Sequence, residues 1–397
     1  MNKIEELIEQ YCPDEVEYKD LGEVLDYEQP TKYLVESTKY HKDHKTPVLT
    51  AGQTFILGYT EETEGIYEAS KENPVIIFDD FTTSFHWVDF KFKVKSSAMK
   101  MLRPKKGSGI IFRFIYFAMK CLEYNPQDHA RQWISVYSKF HVPIPPLPVQ
   151  EEIVRILDKF TELEAELEAE LEARKKQYEF YRNKLLTPVE ENGKWMMNGE
   201  EVEWKDIESI CNHITSGGTP LSTNPAYYNG SIPWLRTQEV DWVDIYDTGI
   251  KISDEGLKNS SAKWIPVNCV IVAMYGATAA KVGINKIPLT TNQACCNLDI
   301  NPELANYRFV FHWLSKEYLT LKSLGEGSQS NINAKKVRKY PVPIPSLSEQ
   351  EKIVSIIDKF DSLVNDISIG LPAEIEARRK QYEYYRGILL DFKPISN

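Results

Sequence analysis

VPIPPLPVQEEIVRILDKFTEL (residues 142–163) returns as VPIPSLSEQEKIVSIIDKFDSL (residues 342–363), with 14 of 22 positions identical at an offset of 200. Further on, EARKKQYEFYRNKLL (172–186) returns as EARRKQYEYYRGILL (376–390), with 11 of 15 identical at an offset of 204. Self-similarity at this distance makes the chain two copies of one plan. The change of offset places four extra residues in the middle of the second copy. Weaker echoes lie upstream: VEYKDLGEVLD (16–26) against VEWKDIESICN (202–212), and NPVIIFDD (73–80) against NCVIVAMY (268–275). The order is the same in both halves. The 397 residues therefore divide into a variable globular unit at 1–141, a constant helical segment at 142–190, a second variable unit at 191–341 and a second constant segment at 342–397.

Each constant segment opens on alternating proline (Pro143, Pro145, Pro146, Pro148; Pro341, Pro343, Pro345), which holds the backbone extended. Ser348 with Glu351 predicts a capping box, and Pro148 suits a helix start in the first copy. Apolar residues then recur in steps of three and four. In the first copy they are Ile153, Ile156, Phe160, Leu163, Leu167, Leu171, Tyr178, Tyr181 and Leu185. In the second they are Ile353, Ile356, Phe360, Leu363, Ile367, Leu371, Ile375, Tyr382, Tyr385 and Leu389. That is the narrow seam of paired helices, each about 55 Å long at roughly 37 residues. Ile153, Phe160, Leu163, Leu167, Leu171, Tyr178, Tyr181, Ile353, Phe360, Leu363, Tyr382 and Tyr385 are the expected helix–helix and partner contacts. Gly370 and Pro372 predict a kink or break in the second copy.

The chain carries 47 Lys and Arg against 58 Asp and Glu, a net charge of −11, the wrong sign for gripping nucleic acid by bulk charge. Much of the acidity is local: residues 142–190 hold 7 basic and 11 acidic groups, including the glutamates of two tandem Glu-Ala-Glu-Leu units (164–167 and 168–171). These read as a solvated helix face. The variable units are nearer neutral. No apolar run is long enough for a membrane span, and no signal peptide is expected. Six cysteines without CxxC spacing point to neither zinc nor disulfides, so a cytoplasmic location is expected.

Both variable units show short apolar runs broken by Gly, Pro, Asn and Thr, the pattern of sheet-rich α+β domains. Strands are predicted at 75–81, 90–95, 270–275 and 281–284, and helices at 109–122 and 307–323. KFKVKSSAMKMLRPKK (91–106) has seven positive charges and no negative one, and NAKKVRKY (333–340) has four. Lysines at 91, 93 and 95 would share one strand face and suit phosphate contacts. The loops 216–240, 275–284, 290–294 and 325–333 are rich in the Gln, Asn, Arg and Thr that match base edges. The candidate DNA contacts are Thr82, Thr83, Ser84, Lys91, Lys93, Lys95 and Lys100 in the first unit. In the second they are Gly217, Gly218, Thr219, Arg236, Gln238, Tyr275, Thr278, Lys281, Asn292, Gln293, Gln329 and Asn331.

No catalytic set stands out. There is no Asx-Pro-Pro-aromatic methylation loop, no glycine fingerprint for S-adenosylmethionine, no Walker A and no Gly-x-Ser-x-Gly. Asp79-Asp80 has no nuclease-type partner and reads as a turn at a strand end. His41 and His44 form HxxH with no evident third ligand, so no metal site is expected.

The duplicated VPIP-x-L-x-x-Q-E-x-IV-x-I-x-DKF and EAR-x-KQYE-x-YR-x-x-LL segments, with GGTP (217–220), YYNGSIPW (227–234), YGATAAKVGI (275–284) and TNQA (291–294), resemble the DNA-specificity subunit of type I restriction–modification systems. The first unit lacks GGTP-like and IPW-like segments. The resemblance implies two target recognition domains, each reading half of a bipartite site in double-stranded DNA. It implies two long antiparallel helices as a spacer, giving a pseudo-twofold internal repeat, with the Glu-Ala-Glu-Leu units tuning its length. It further implies two adenine methyltransferase subunits, which would bind S-adenosylmethionine, and restriction (translocase and nuclease) subunits, with no catalysis in this chain. The specificity subunit of a related type II bipartite-cutting system and a coiled-coil assembly scaffold are the alternatives.

Overall fold

The structure, a computed structural model, describes residues 3–12, 15–52, 54–326 and 331–395. By contact the chain divides into two compact units, residues 1–168 with 374–397 and residues 169–373. The division falls inside a helix because each variable domain packs on helical stretches drawn from both constant segments. Among the described residues no helix is long and apolar enough to cross a membrane, and all six cysteines are free thiols.

In the first unit the main sheet runs in the order Leu25–Glu28, Met99–Pro104, Val75–Asp79, Phe85–Val88, all neighbours antiparallel. A second sheet joins Ile56–Thr60, Thr46–Leu49 and Lys93–Val94, the last two parallel. Val75, Ile76, Ile77 and Phe78 are all fully buried, which is why this strand reads as one continuous apolar run rather than an alternation. Of the predicted strand 90–95, Lys93–Val94 forms a strand and Phe92 an isolated antiparallel bridge with Tyr67. The predicted helix at 109–122 is Phe112–Met119.

The second unit repeats this plan. Its main sheet runs Cys211–Ser216, Cys295–Ile300, Val270–Ala273, Val282–Asn285, and then adds a parallel edge strand, Asp244–Ile245. Its second sheet contains Lys251–Ile252, Tyr228–Leu235, Leu289–Thr291 and Trp264–Ile265, with the middle two parallel. The two domains thus share strand order and pairing although only fragments of their sequences correspond. The predicted helix at 307–323 is interrupted at Glu317, giving Tyr307–Lys316 and Tyr318–Ser323.

The proline lead-ins are strands. His141–Pro143 pairs with Tyr18–Asp20, and Pro341–Ile344 pairs with Glu203–Asp206. The first constant segment is then one helix of 40 residues, Leu147–Leu186, with Pro148 in its first turn. The second is two helices, Leu347–Asn365 and Leu371–Leu389. The helix start in the second copy is capped by Ser346, whose hydroxyl accepts from the Glu349 N–H at 3.2 Å, rather than by Ser348. The predicted break is present. A Cβ at Gly370 would lie 2.6 Å from the carbonyl oxygens of Ser362 and Asp366, so the chain can close this tightly only at glycine. Pro372, lacking an N–H, opens the next helix.

In each unit one stretch of the long helix runs antiparallel to one C-terminal helix. In the first unit Phe160 stacks on Tyr385 at 5.4 Å, and Arg379 donates to Glu164 at 2.5 Å and Glu168 at 2.6 Å. In the second, Tyr181 stacks on Phe360 at 5.5 Å. Ile153 and Ile353, expected in this seam, are instead buried in the cores of the two domains. Ile356, Leu363 and Ile367 are exposed, because Ile357 and Val364 take the buried face.

Candidate nucleic-acid interface

Four loops of the second unit meet at one end of its strands. Thr219 and Gln293 hydrogen-bond through their side chains. Thr278 donates to the Thr237 carbonyl at 2.7 Å, which places the 275–281 hairpin beside Arg236 and Gln238. The Gly276 N–H donates to the Asn331 side chain at 3.2 Å, and the Asn292 N–H to the Leu235 carbonyl at 2.9 Å. Gln238, Tyr275, Thr219 and Gln293 are exposed. The result is a continuous polar edge held by backbone and side-chain bonds, with donors, acceptors and one aromatic ring facing outward.

The first unit builds the same edge from different residues. The Lys95 N–H donates to the Leu49 carbonyl at 3.1 Å, the same bond that Asn292 makes to Leu235. Lys95, Ser96 and Ser97 together therefore span the place of Asn292 and Gln293: Lys95 repeats the backbone bond of Asn292, while the Ser96 hydroxyl accepts from the Ala98 N–H as the Asn292 side chain accepts from the Ala294 N–H. Beside them stands the 79–84 hairpin, where Asp79 accepts from the N–H groups of Phe81 and Thr82 at 2.9 and 2.8 Å. Thr83 adopts φ 58°. His86 Nε2 donates to the Gly52 carbonyl at 2.9 Å, and its ring stacks on Phe55. Burial lowers the His86 pKa, keeping the ring neutral.

At the other end of the strands, each domain stands on the helices through one short helix. In the second unit Arg308 donates to both oxygens of Asp244 at 3.1 Å and to Asp358 at 2.9 Å. His312 Nε2 lies 2.6 Å from the same Asp358. Burial alone would raise the Asp358 carboxyl, but the bonds from His312 and Arg308 outweigh it and hold it below the usual range. Gln350 accepts from the Asn306 N–H at 2.8 Å and donates to the Pro345 carbonyl at 2.9 Å. In the first unit Arg113 donates to Asp158 at 2.7 Å, and its guanidinium lies within 5.0 Å of the Trp87, Tyr116 and Phe117 ring centres. Gln150 accepts from Ile111 at 2.8 Å and donates to Pro145 at 2.7 Å. Tyr178 with Arg182 and Tyr382 with Arg386 form matching stacked pairs, 5.3 and 5.2 Å from cation to ring centre. The repeated Gln, Asp, Tyr and Arg of the constant segments thus build one seat twice.

A family model described as "Type I restriction modification DNA specificity domain" matches residues 13–173 and again residues 199–377. The chain belongs to the type I restriction–modification DNA specificity family. Over 394 residues it is 43% identical to the type I restriction enzyme EcoR124I/EcoR124II specificity subunit of Escherichia coli, covering 95% of each chain. Its fold resembles the solved S subunit of a type I restriction–modification system from M. genitalium, with a TM-score of 0.59 at 14% identity over 95% of this chain and 96% of that one. A chain from a structural study of type I R-M complex assembly gives a TM-score of 0.56 at 16% identity, over 95% and 98%. The chain is a type I specificity subunit with two recognition domains, and the scaffold reading is set aside.

Within this specificity subunit several candidate contacts have other roles. Lys93 is 4% exposed, held by Glu62 at 2.8 Å and the Glu64 carbonyl at 2.7 Å. Lys100 is 1% exposed and paired with Asp80. Neither can reach a phosphate, because each charge is matched inside the domain. Lys91 is exposed beside Glu68, and Lys95 is exposed on the edge. Gly217 and Gly218 are buried, and a Cβ there would lie 1.8 Å from the Thr291 carbonyl oxygen and 2.4 Å from the Ala262 nitrogen. They permit close packing, not base contact. Lys281 is taken up by Asp241 at 2.6 Å and by the Trp242 ring at 4.4 Å. Thr83 is buried, leaving Thr82 and Ser84 on the edge. Gln329 lies outside the described residues. Among the described residues no group of three or more His, Cys, Asp or Glu could hold a metal.

Sequence reasoning missed Ser96, Arg113 and Arg308. FRFIYF (112–117) and YRFVFH (307–312) are a further echo, at offset 195, and would have marked both arginines. Nothing in the sequence marks Ser96, because its place opposite Asn292 and Gln293 rests on strand pairing and a shared side-chain bond.

Proposed function

We propose that this specificity subunit reads a bipartite double-stranded DNA site, one half through each recognition domain, and that its helices set the gap between the halves. The carrying observation is the duplicated polar edge: two domains of the same strand order present different side chains over corresponding stretches, Lys95, Ser96 and Ser97 against Asn292 and Gln293. Each correct base contact is worth about 1–3 kcal/mol, so one domain alone is a weak reader. Two readers on a spacer gain effective concentration only where the gap fits.

The chemistry then belongs to partners. Two adenine methyltransferase subunits would bring S-adenosylmethionine, and restriction subunits would translocate and cut, all in the cytoplasm. Phe180 and Tyr384 occupy equivalent positions of the two helical repeats, and both are exposed. A side chain of this size left in water twice, at equivalent places, suits the docking of two identical subunits.

Mapping methylated adenines in cells that carry this chain with its methyltransferase partner tests the reading. One bipartite motif with a constant gap is expected. A continuous motif, or no new methylation, would overturn it.

A further inference from the structure

The seats and the reading edges lie at opposite ends of the same strands. Cys295–Ile300 starts beside Gln293 on the edge and runs toward Asn306 at the seat. Val282–Asn285 leaves the 275–281 hairpin and ends beside Asp244, which pairs with Ile284. The first unit repeats this: Met99–Pro104 starts beside Ser96 and Ser97 and runs toward Phe112–Met119. A domain of this size is roughly 30 Å across. A tilt of about 7° at its foot therefore moves its reading edge by about one base-pair step of 3.4 Å.

Apolar packing of Ile153 and Ile353 and the bonds of Gln150 and Gln350 also seat the domains, but at each foot one arginine ties the domain's short helix to the helical segment by a directional charged bond. Arg308 joins three elements: the edge strand through Asp244, its own short helix, and the Leu347–Asn365 helix through Asp358. Its planar fork meets both oxygens of Asp244 while also bonding Asp358, a bidentate geometry that a lysine ammonium does not reproduce. His312 adds a second bond to Asp358. In the first unit Phe117 stands where His312 would be, and Arg113 is held by Asp158 and three aromatic rings. The two feet use different chemistry around the same Arg–Asp pair.

We propose that Arg113 and Arg308, acting through Asp158 and Asp358, are positioning residues that fix the tilt of each recognition domain on its helices and so the strictness of the accepted gap. Neither touches DNA; each acts by holding the reading edge in place. The inference rests on the bipartite reading above.

The test uses the full chain in complex with its methyltransferase. Binding is measured to duplexes carrying the motif from the methylation map with its natural gap, one base pair less and one more. Wild type is expected to prefer the natural gap. Asp358→Asn, which keeps the shape but removes the charge, is expected to shrink that preference about tenfold, with both half-site sequences still required. Asp358→Glu, restoring the carboxylate, is expected to recover most of it. Asp158→Asn tests the other foot, should Asp358→Asn not fold. Equal loss on all three gaps, or an unchanged preference in both Asn variants, would overturn the positioning role while leaving the bipartite reading intact. A wild type indifferent to the gap would overturn both.

Discussion

Lys100 reaches Asp80 inside the first recognition domain, Nζ to Oδ2 at 3.2 Å, with both side chains 1% exposed. Asp80 also accepts from the Trp133 N–H at 2.8 Å. The pair ties the foot of the 79–84 hairpin to the domain core. Lys100→Met would leave the Asp80 charge buried and unmatched, which costs about 3–5 kcal/mol. Thermal denaturation should show a large loss of stability in this variant. Lys95→Ala should stay within about 0.5 kcal/mol of wild type. A stable Lys100→Met that loses only salt-dependent DNA affinity would return Lys100 to the phosphate contacts.

Each reading edge should govern one half-site. Arg236→Ala with Gln238→Ala is expected to relax only the half read by the second domain, by about 1–3 kcal/mol per lost base contact. Ser96→Ala should alter only the other half. Methylation maps of the variants separate the outcomes. Relaxation of both halves by either variant would contradict the assignment of one half to each domain.

What the sequence made legible was the part with local periodicity. The 3.6-residue pattern and the duplicated DKF and KQYE segments fixed the helices, and Gly370 and Pro372 marked the break. The reading edge of the first domain was hidden because its equivalence to the second runs through long-range strand pairing. Lys93 and Lys100 read as phosphate contacts from the basic stretch because their partners, Glu62 and Asp80, lie 31 and 20 residues away. Gly217 and Gly218 looked like a recognition loop, yet their role is the room they leave for Thr291 and Ala262. Ile153 and Ile353 fitted the helical seam by spacing alone, while the domains packed on those helices claim them instead.

His86 should titrate below the ordinary histidine value of 6.5, because burial disfavours its charged form. The unfolded chain then takes up a proton that the folded chain refuses as pH falls below about 6.5. Stability is complete above that pH and declines below it until the folded ring itself protonates. Proton NMR of the ring should give a midpoint under 6.5, and His86→Phe should flatten the decline. A midpoint at or above 6.5 would contradict a buried, neutral His86 ring.

The exposed rings of the helices should matter to assembly and not to folding. Phe180→Ser and Tyr384→Ser are each expected to leave the melting temperature of the isolated chain nearly unchanged, since neither ring is buried. Each should weaken methyltransferase binding by about 2 kcal/mol or more if the rings are anchors of that interface. Calorimetric titration of the two single variants and the double variant decides this. Unaltered affinity in the double variant would remove both rings from the interface.

The central claim is that the helices measure the gap, and deleting residues 164–167 tests it most directly. The deletion removes one Glu-Ala-Glu-Leu unit, and the following unit brings Glu168 and Glu172 into the places that Glu164 and Glu168 hold against Arg379. The side-chain pattern therefore survives while the helix loses about 6 Å, against 3.4 Å per base pair. The methylation map of cells carrying this variant should show the same two half-site sequences separated by a gap about one to two base pairs shorter. The same halves at the original gap would contradict the account.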